Sequence, residues 1–137
     1  MTMRIAFGTD ETTPLTENIK SALQERGHQV VVVGDGDTWP DVGRAVGEAV
    51  AGGAVDRGVV CCWTGTGVSI AANKVAGVRA ALCTDAETAR GARKWNDANV
   101  LAMGLRLTSA EVANEMIDAF MNTDADPEEL GEIRKLG

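Results

Sequence analysis

Five short apolar runs recur along the chain: Arg4–Phe7, Gln29–Val33, Gly58–Cys62, Arg79–Cys83 and Asn99–Met103. Most are continuous and lack an in–out alternation, the pattern of strands covered on both faces. Helical patterns separate them. Thr13-Pro14 opens the first, with Leu15, Ile19 and Leu23 at four-residue spacing and Gly27 as a stop. Asp41 is read as the cap of a second, which carries Val42, Val46, Ala49 and Val50. A third runs from near Gly67 to about Val75 and a fourth from Asp85 to Trp95. Thr108 and Glu111 read as a capping box for a fifth, with Val112, Met116 and Phe120 on its apolar face. Asp126-Pro127 with Glu129 starts a short sixth.

Strand–helix alternation of this kind predicts an α/β fold: a Rossmann-like three-layer sandwich with a five-stranded parallel sheet and helices on both faces. The common strand order 2-1-3-4-5 is expected. In such a sheet ligands bind beyond the carboxyl ends of the strands, where the order reverses. That point lies between strands one and three. Strand one ends at Gly8-Thr9-Asp10, and strand three ends at Cys61-Cys62 before Trp63-Thr64-Gly65-Thr66-Gly67-Val68-Ser69. The two most polar, glycine-rich strand ends therefore meet at the expected site.

The chemistry available there is limited. The loop from Thr64 to Ser69 leads into a helix, so its backbone N–H groups can converge on an oxyanion. It is neither a dinucleotide fingerprint nor a P-loop. Cys62 precedes the loop, where a helix N-terminus would stabilise a thiolate; a buried core cysteine is the competing reading. Asp10 is a candidate pocket carboxylate or a turn residue. His28, beside Gly27, reads as a charge partner for the end of the first helix. With one His in the chain, a His-based metal site or a Ser-His-Asp triad is disfavoured. Arg106, after strand five, can reach an anionic substrate or lie on the surface.

Length and composition narrow the class. At 137 residues the chain is read as one domain. A net charge of −7 argues against nucleic acid or an anionic membrane as main partner. Three Cys, two of them adjacent, form no secretory disulfide framework. The first eight residues are too short an apolar stretch for a signal peptide or a membrane span, so a cytoplasmic protein is expected.

The stretch "GVVCCWTGTGVSIAANK", Gly58 to Lys74, resembles the signature of the ribose-5-phosphate isomerase B and galactose-6-phosphate isomerase family. "RIAFGTD", "VRAALCTDAETAR" and "NDANVLAMGLR" extend the resemblance over nearly the whole chain. The resemblance implies a homodimer, or a tetramer built from it, that interconverts aldose and ketose without metal or cofactor. Cys62 would move the proton through a cis-enediolate. Thr64, Gly65, Thr66, Gly67 and Ser69 would hold the oxyanion, Asp10 a substrate hydroxyl, and Asn96 would line the pocket. A non-catalytic small-molecule-binding relative of the same fold is the alternative.

The departures from the family pattern matter equally. Glu11 and Trp95 stand where the family has His, the latter being the residue implicated in opening the sugar ring. Trp39 replaces a Tyr. Asp126 to Leu130 stands where a Gly-Gly-Arg-His stretch holds phosphate, which leaves Arg106 and Arg134 as candidate phosphate ligands. These changes point to a linear or less anionic carbohydrate, with Glu128 and Glu129 expected to repel a phosphate.

Overall fold

The computed structural model describes residues 2–137. It contains five strands, β1 (Arg4–Thr9), β2 (Gln29–Asp35), β3 (Arg57–Cys62), β4 (Ala80–Leu82) and β5 (Val100–Gly104). Helices α1 (Pro14–Glu25), α2 (Trp39–Ala51), α3 (Thr66–Asn73), α4 (Ala86–Asn96), α5 (Ala110–Asn122) and α6 (Leu130–Ile133) connect or follow them. Short 3₁₀ turns flank α6.

All pairings are parallel, and the order is β2-β1-β3-β5-β4. The α/β sandwich matches the sequence expectation, but the last two strands exchange places. The physical reason lies in their burial. Val100 to Gly104 are all buried, whereas Ala80 and Ala81 are half-buried and Leu82 is exposed. A three-residue, partly exposed strand suits an edge, and a fully apolar one needs neighbours on both sides. The reversal between β1 and β3 is unaffected.

Strand alternation divides the core into two layers. Ile5, Phe7, Val59, Cys61, Leu101 and Met103 pack with α1, α4 and α5. Ala6, Val60, Cys62, Val100 and Ala102 pack with α2 and α3. Cys61 and Cys62 thus face opposite layers, as successive strand residues must. Burying the larger side chains contributes about 1.5–3 kcal/mol each.

Several helix starts differ by a residue or more from the sequence reading. Thr38, not Asp41, caps α2; Asp41 lies in the first turn, where its carboxylate accepts a hydrogen bond from the Thr38 hydroxyl at 3.1 Å. Trp39-Pro40 can occupy the first helical positions because Pro lacks only an N–H that has no partner there. Ser109, not Thr108, caps α5 and accepts from the Val112 N–H at 3.2 Å. Thr13 caps α1 as expected, accepting from the Thr16 N–H.

His28 also departs from its expected role. It is buried at the foot of β2, and its Nδ1 accepts the Met3 N–H at 3.1 Å. Burial lowers its pKa below 6.5, with the charges of Arg57 and Arg26 acting in the same direction. It is a neutral acceptor, not a helix-end cation. Since the native pKa is lower than the unfolded one, the unfolded state binds more protons in that range. Stability is therefore complete above about pH 6.5 and falls as pH drops toward the native value. The melting temperature of the parent should fall more between pH 7.5 and 5.5 than that of His28→Asn; equal slopes would contradict the assignment.

Candidate active site

At the carboxyl ends of β1 and β3, Asp10, Trp39, Cys62, Trp63, Thr64, Thr66 and Gly67 line one cavity of ≈ 270 Å³. The sheet reversal creates the cleft, and three local features shape its wall.

The first is the loop after β3. Gly65 caps α3 with φ 79°, a left-handed conformation that costs other residues roughly 1–2 kcal/mol. A Cβ there would also lie 2.6 Å from Leu82 Cδ1 and 2.8 Å from the Met103 carbonyl carbon. The loop is thus pressed against the end of β5, and the Leu105 N–H donates to the Cys62 carbonyl at 2.9 Å. No side chain caps α3. The first-turn amides of Thr66, Gly67 and Val68, which have no intrahelical acceptor, are available to an anionic oxygen. The hydroxyls of Thr64 and Thr66 lie 2.7 Å apart, tying the two sides of the turn together.

The second is Trp39. A Cβ on Gly67 would lie 2.8 Å from Trp39 Cε3, so the indole sits directly on the start of α3. The third is Asp10. Its Oδ1 is buried without a hydrogen-bond partner among the described residues. Burial raises the pKa of its carboxyl, and the neighbouring Glu11 charge adds to the effect. An unpartnered buried acceptor is costly, and a donor hydroxyl from a ligand would remove that cost. Cys62 is buried at the mouth of β3, within the same wall.

The structure therefore brings together Cys62, Asp10, Thr64, Thr66, Gly67 and Trp39. Gly65 lies buried beneath the loop and Ser69 half-buried on α3, where its N–H donates to the Gly65 carbonyl at 3.2 Å. Glu11 is exposed beside Asp10, its N–H and C=O both bonded to the Thr9 hydroxyl. Arg106 is exposed next to the cavity, with its backbone N–H donating to the Trp63 carbonyl at 2.9 Å.

Trp95 and Asn96 do not join this group within one chain. They line a separate cavity with Leu82, Glu87, Thr88 and Gly91, between β4 and α4. Trp95 folds onto Gly91 of its own helix, where a Cβ would meet the ring at 2.7 Å. α4 runs back from the carboxyl end of β4 to the amino end of β5, so its last residues, Trp95 and Asn96, lie away from the carboxyl-end cleft of β1 and β3. Glu128 and Glu129 are also absent from the Cys62 cavity. Their segment docks on α4, where the Asp126 N–H donates to the Lys94 carbonyl at 2.8 Å. The repulsion expected from them is not realised within one chain. Trp63, 54% exposed, is a wall residue that the sequence reading left as mere loop; a bulky aromatic beside a candidate base was its only signal.

A parallel α/β sheet with a polar, glycine-walled cavity at its switch point defines a Rossmann-like enzyme of small molecules. The model of the Ribose/Galactose Isomerase family matches residues 5–136. The chain is similar to ribose-5-phosphate isomerase B of Escherichia coli, 43% identical over 126 residues covering 86% of this chain and 83% of that protein. It is 38% identical to D-erythrulose-4-phosphate isomerase of Pectobacterium atrosepticum, over 89% of this chain and 84% of the other. The solved ribose-5-phosphate isomerase B of Clostridium thermocellum superposes with a TM-score of 0.93 at 38% identity, covering 98% of this chain and 95% of that one. The chain belongs to the ribose/galactose isomerase family, and it is an enzyme of the sugar and sugar-phosphate isomerase class.

Proposed function

We propose that this isomerase interconverts the aldose and ketose forms of a short sugar phosphate that stays linear, with Cys62 as the base. The observation that carries the reading is the composition of the cavity: a thiol, an unpartnered carboxyl oxygen and open helix amides, with no imidazole. The chain's one His is at the opposite end of the sheet, buried against Met3.

Cys62 thiolate takes the proton from the carbon next to the carbonyl. The electron pair forms the C=C bond of a cis-enediolate as the carbonyl oxygen becomes negative. Amides of Thr66 and Gly67, with the Thr64 hydroxyl, stabilise that oxygen. The same thiol returns the proton to the neighbouring carbon, and a hydroxyl proton moves between the two oxygens. Asp10 accepts a hydrogen bond from a substrate hydroxyl. No redox cofactor is called for, because no net oxidation occurs.

The similarity to D-erythrulose-4-phosphate isomerase supports a four-carbon substrate. With its fourth oxygen esterified, such a sugar has no hydroxyl placed to close a five- or six-membered ring. It therefore needs no ring-opening acid. No Lys or Arg lines the cavity, so Arg106 and Arg134 are the cations proposed to meet the phosphate. Arg134 belongs to the segment past α5, remote from its own cavity, and would serve across a homodimer. The exposed Trp39 and Ile70 border a groove between α2 and α3, rimmed by Arg44, Glu48 and Lys74, that supports such an association. Three buried free thiols suit the cytoplasm as its compartment; no helix among the described residues is long and apolar enough to cross a membrane.

Solvent exchange tests the reading. Tetrulose 4-phosphate turned over in deuterium oxide should gain deuterium at C1, followed by NMR. Conversion without any incorporation, even after many turnovers, would count against a base that exchanges with solvent, as a thiol lining this open cavity should.

A further inference from the structure

A second polar cavity opens at the other end of the sheet. It measures ≈ 480 Å³, and Arg57, Arg79 and Arg93 line it together with Asp56, Asp97 and Asn99. The three guanidinium groups come from three elements: Arg57 begins β3, Arg79 precedes β4, and Arg93 belongs to α4. Such a concentration is unexpected in a chain of net charge −7.

Three carboxylates stand nearby, but none accepts a hydrogen bond from the Arg57 side chain. Asp97 serves two arginines, accepting from Arg93 Nη1 at 2.9 Å and from Arg79 Nη2 at 3.1 Å. Asp56 Oδ2 accepts the backbone N–H of Arg4 at 2.8 Å. Asp124 stays 3.9 Å from Arg57 Nη2, beyond hydrogen-bonding distance, with its side chain 88% exposed. The Arg57 side chain makes one hydrogen bond among the described residues, from Nη1 to the Phe120 carbonyl at 2.6 Å. Its Nε and Nη2 have no hydrogen-bond acceptor among the described residues.

Arg57 and Arg93 share an aromatic anchor. Both are buried, and both guanidinium carbons stand over the Phe120 ring, at 5.9 and 5.8 Å from its centre. The ring face offsets part of the repulsion and fixes their orientation. Burial, and secondly the Arg93 charge, lower the pKa of Arg57 to about 10, so it remains a cation at neutral pH. Arg93 donates Nε to the Thr123 carbonyl and Nη1 to Asp97 and the Ala98 carbonyl, which leaves its Nη2, with Nε and Nη2 of Arg57, without an acceptor among the described residues.

We propose that this cavity binds a small tetrahedral oxyanion, either inorganic phosphate or the phosphate end of a small monoester, on Arg57, Arg79 and Arg93. The site is separate from the isomerase cavity. Arg57 and Cys62 occupy opposite ends of β3, about 16 Å apart along the strand.

The test is calorimetric titration of inorganic phosphate into the parent, Arg57→Gln and Arg106→Gln, with sodium chloride matching ionic strength. The parent should show a binding component that Arg57→Gln weakens at least tenfold and Arg106→Gln leaves intact. Glycerol phosphate in place of inorganic phosphate assigns the source: tighter binding indicates a monoester, equal or weaker binding the inorganic ion. Equal phosphate affinity in the parent and in folded Arg57→Gln would overturn the proposal. Should that variant not fold, crystals of the parent grown with selenate decide it. An anomalous peak between Arg57 and Arg93 supports the site, and none there rejects it.

Discussion

Cys62→Ala is expected to lose about 10²–10⁴-fold in turnover, the usual worth of a general base, while keeping its fold. The corresponding barrier increase is about 3–5 kcal/mol. Cys62 packs in the layer with α2 and α3 at the end of β3, so removing its sulfur should cost about 1 kcal/mol of stability, too little to unfold the chain. Deuterium wash-in at C1 should fall in parallel, because both readouts depend on the same proton. Cys61→Ala is the control. Its side chain is fully buried in the opposite layer, and burial raises its thiol pKa far above the ordinary value. That substitution should cost about 1–2 kcal/mol of stability and leave turnover within a few-fold. Equal activity in the two variants would remove Cys62 from the mechanism.

Substrate choice carries the other large effect. Tetrulose 4-phosphate should exceed ribose 5-phosphate in kcat/KM by about 10²-fold or more, since a missing acid–base catalyst for ring opening costs about that much. Trp95→His should raise ribose 5-phosphate turnover and leave the linear sugar unchanged. Trp95 lines a cavity of its own separate from that of Cys62 within one chain, so a gain would also show that a second copy carries it to the site. Ribose 5-phosphate handled as well as the four-carbon sugar would defeat the linear-substrate reading.

Much of the arrangement was legible before the structure. Continuous apolar runs and capped amphipathic helices specified the layers, and the polar ends of β1 and β3 marked the cleft. What escaped were properties of strand neighbours. Nothing local to Ala80–Leu82 announces an edge; its exposure follows from pairing with β5 alone. Trp95 and Asn96 lie outside the Cys62 cavity because they end α4, the crossover helix that returns to the amino end of β5. The Arg57–Arg93 pair was invisible for a similar reason. The two meet over Phe120 from β3, α4 and α5, which no spacing along the chain encodes. Helix caps slipped because Thr108 and Ser109 are both good caps, and only the backbone path selects one.

The interior position of β5 has a consequence for synthesis on the ribosome. β1, β2 and β3 are complete once residue 62 has been made, and they can pair among themselves. β4 follows within twenty residues and finds no native partner, because that partner is the strand yet to come. Until Val100 to Gly104 emerge, β4 and the outer flank of β3 stay unpaired together. One late segment then closes both gaps at once. A chain stalled before Val100 should leave the β5-facing flanks of β3 and β4 open to other nascent chains, whereas one stalled after α5 should keep only the outer edges of β2 and β4 open.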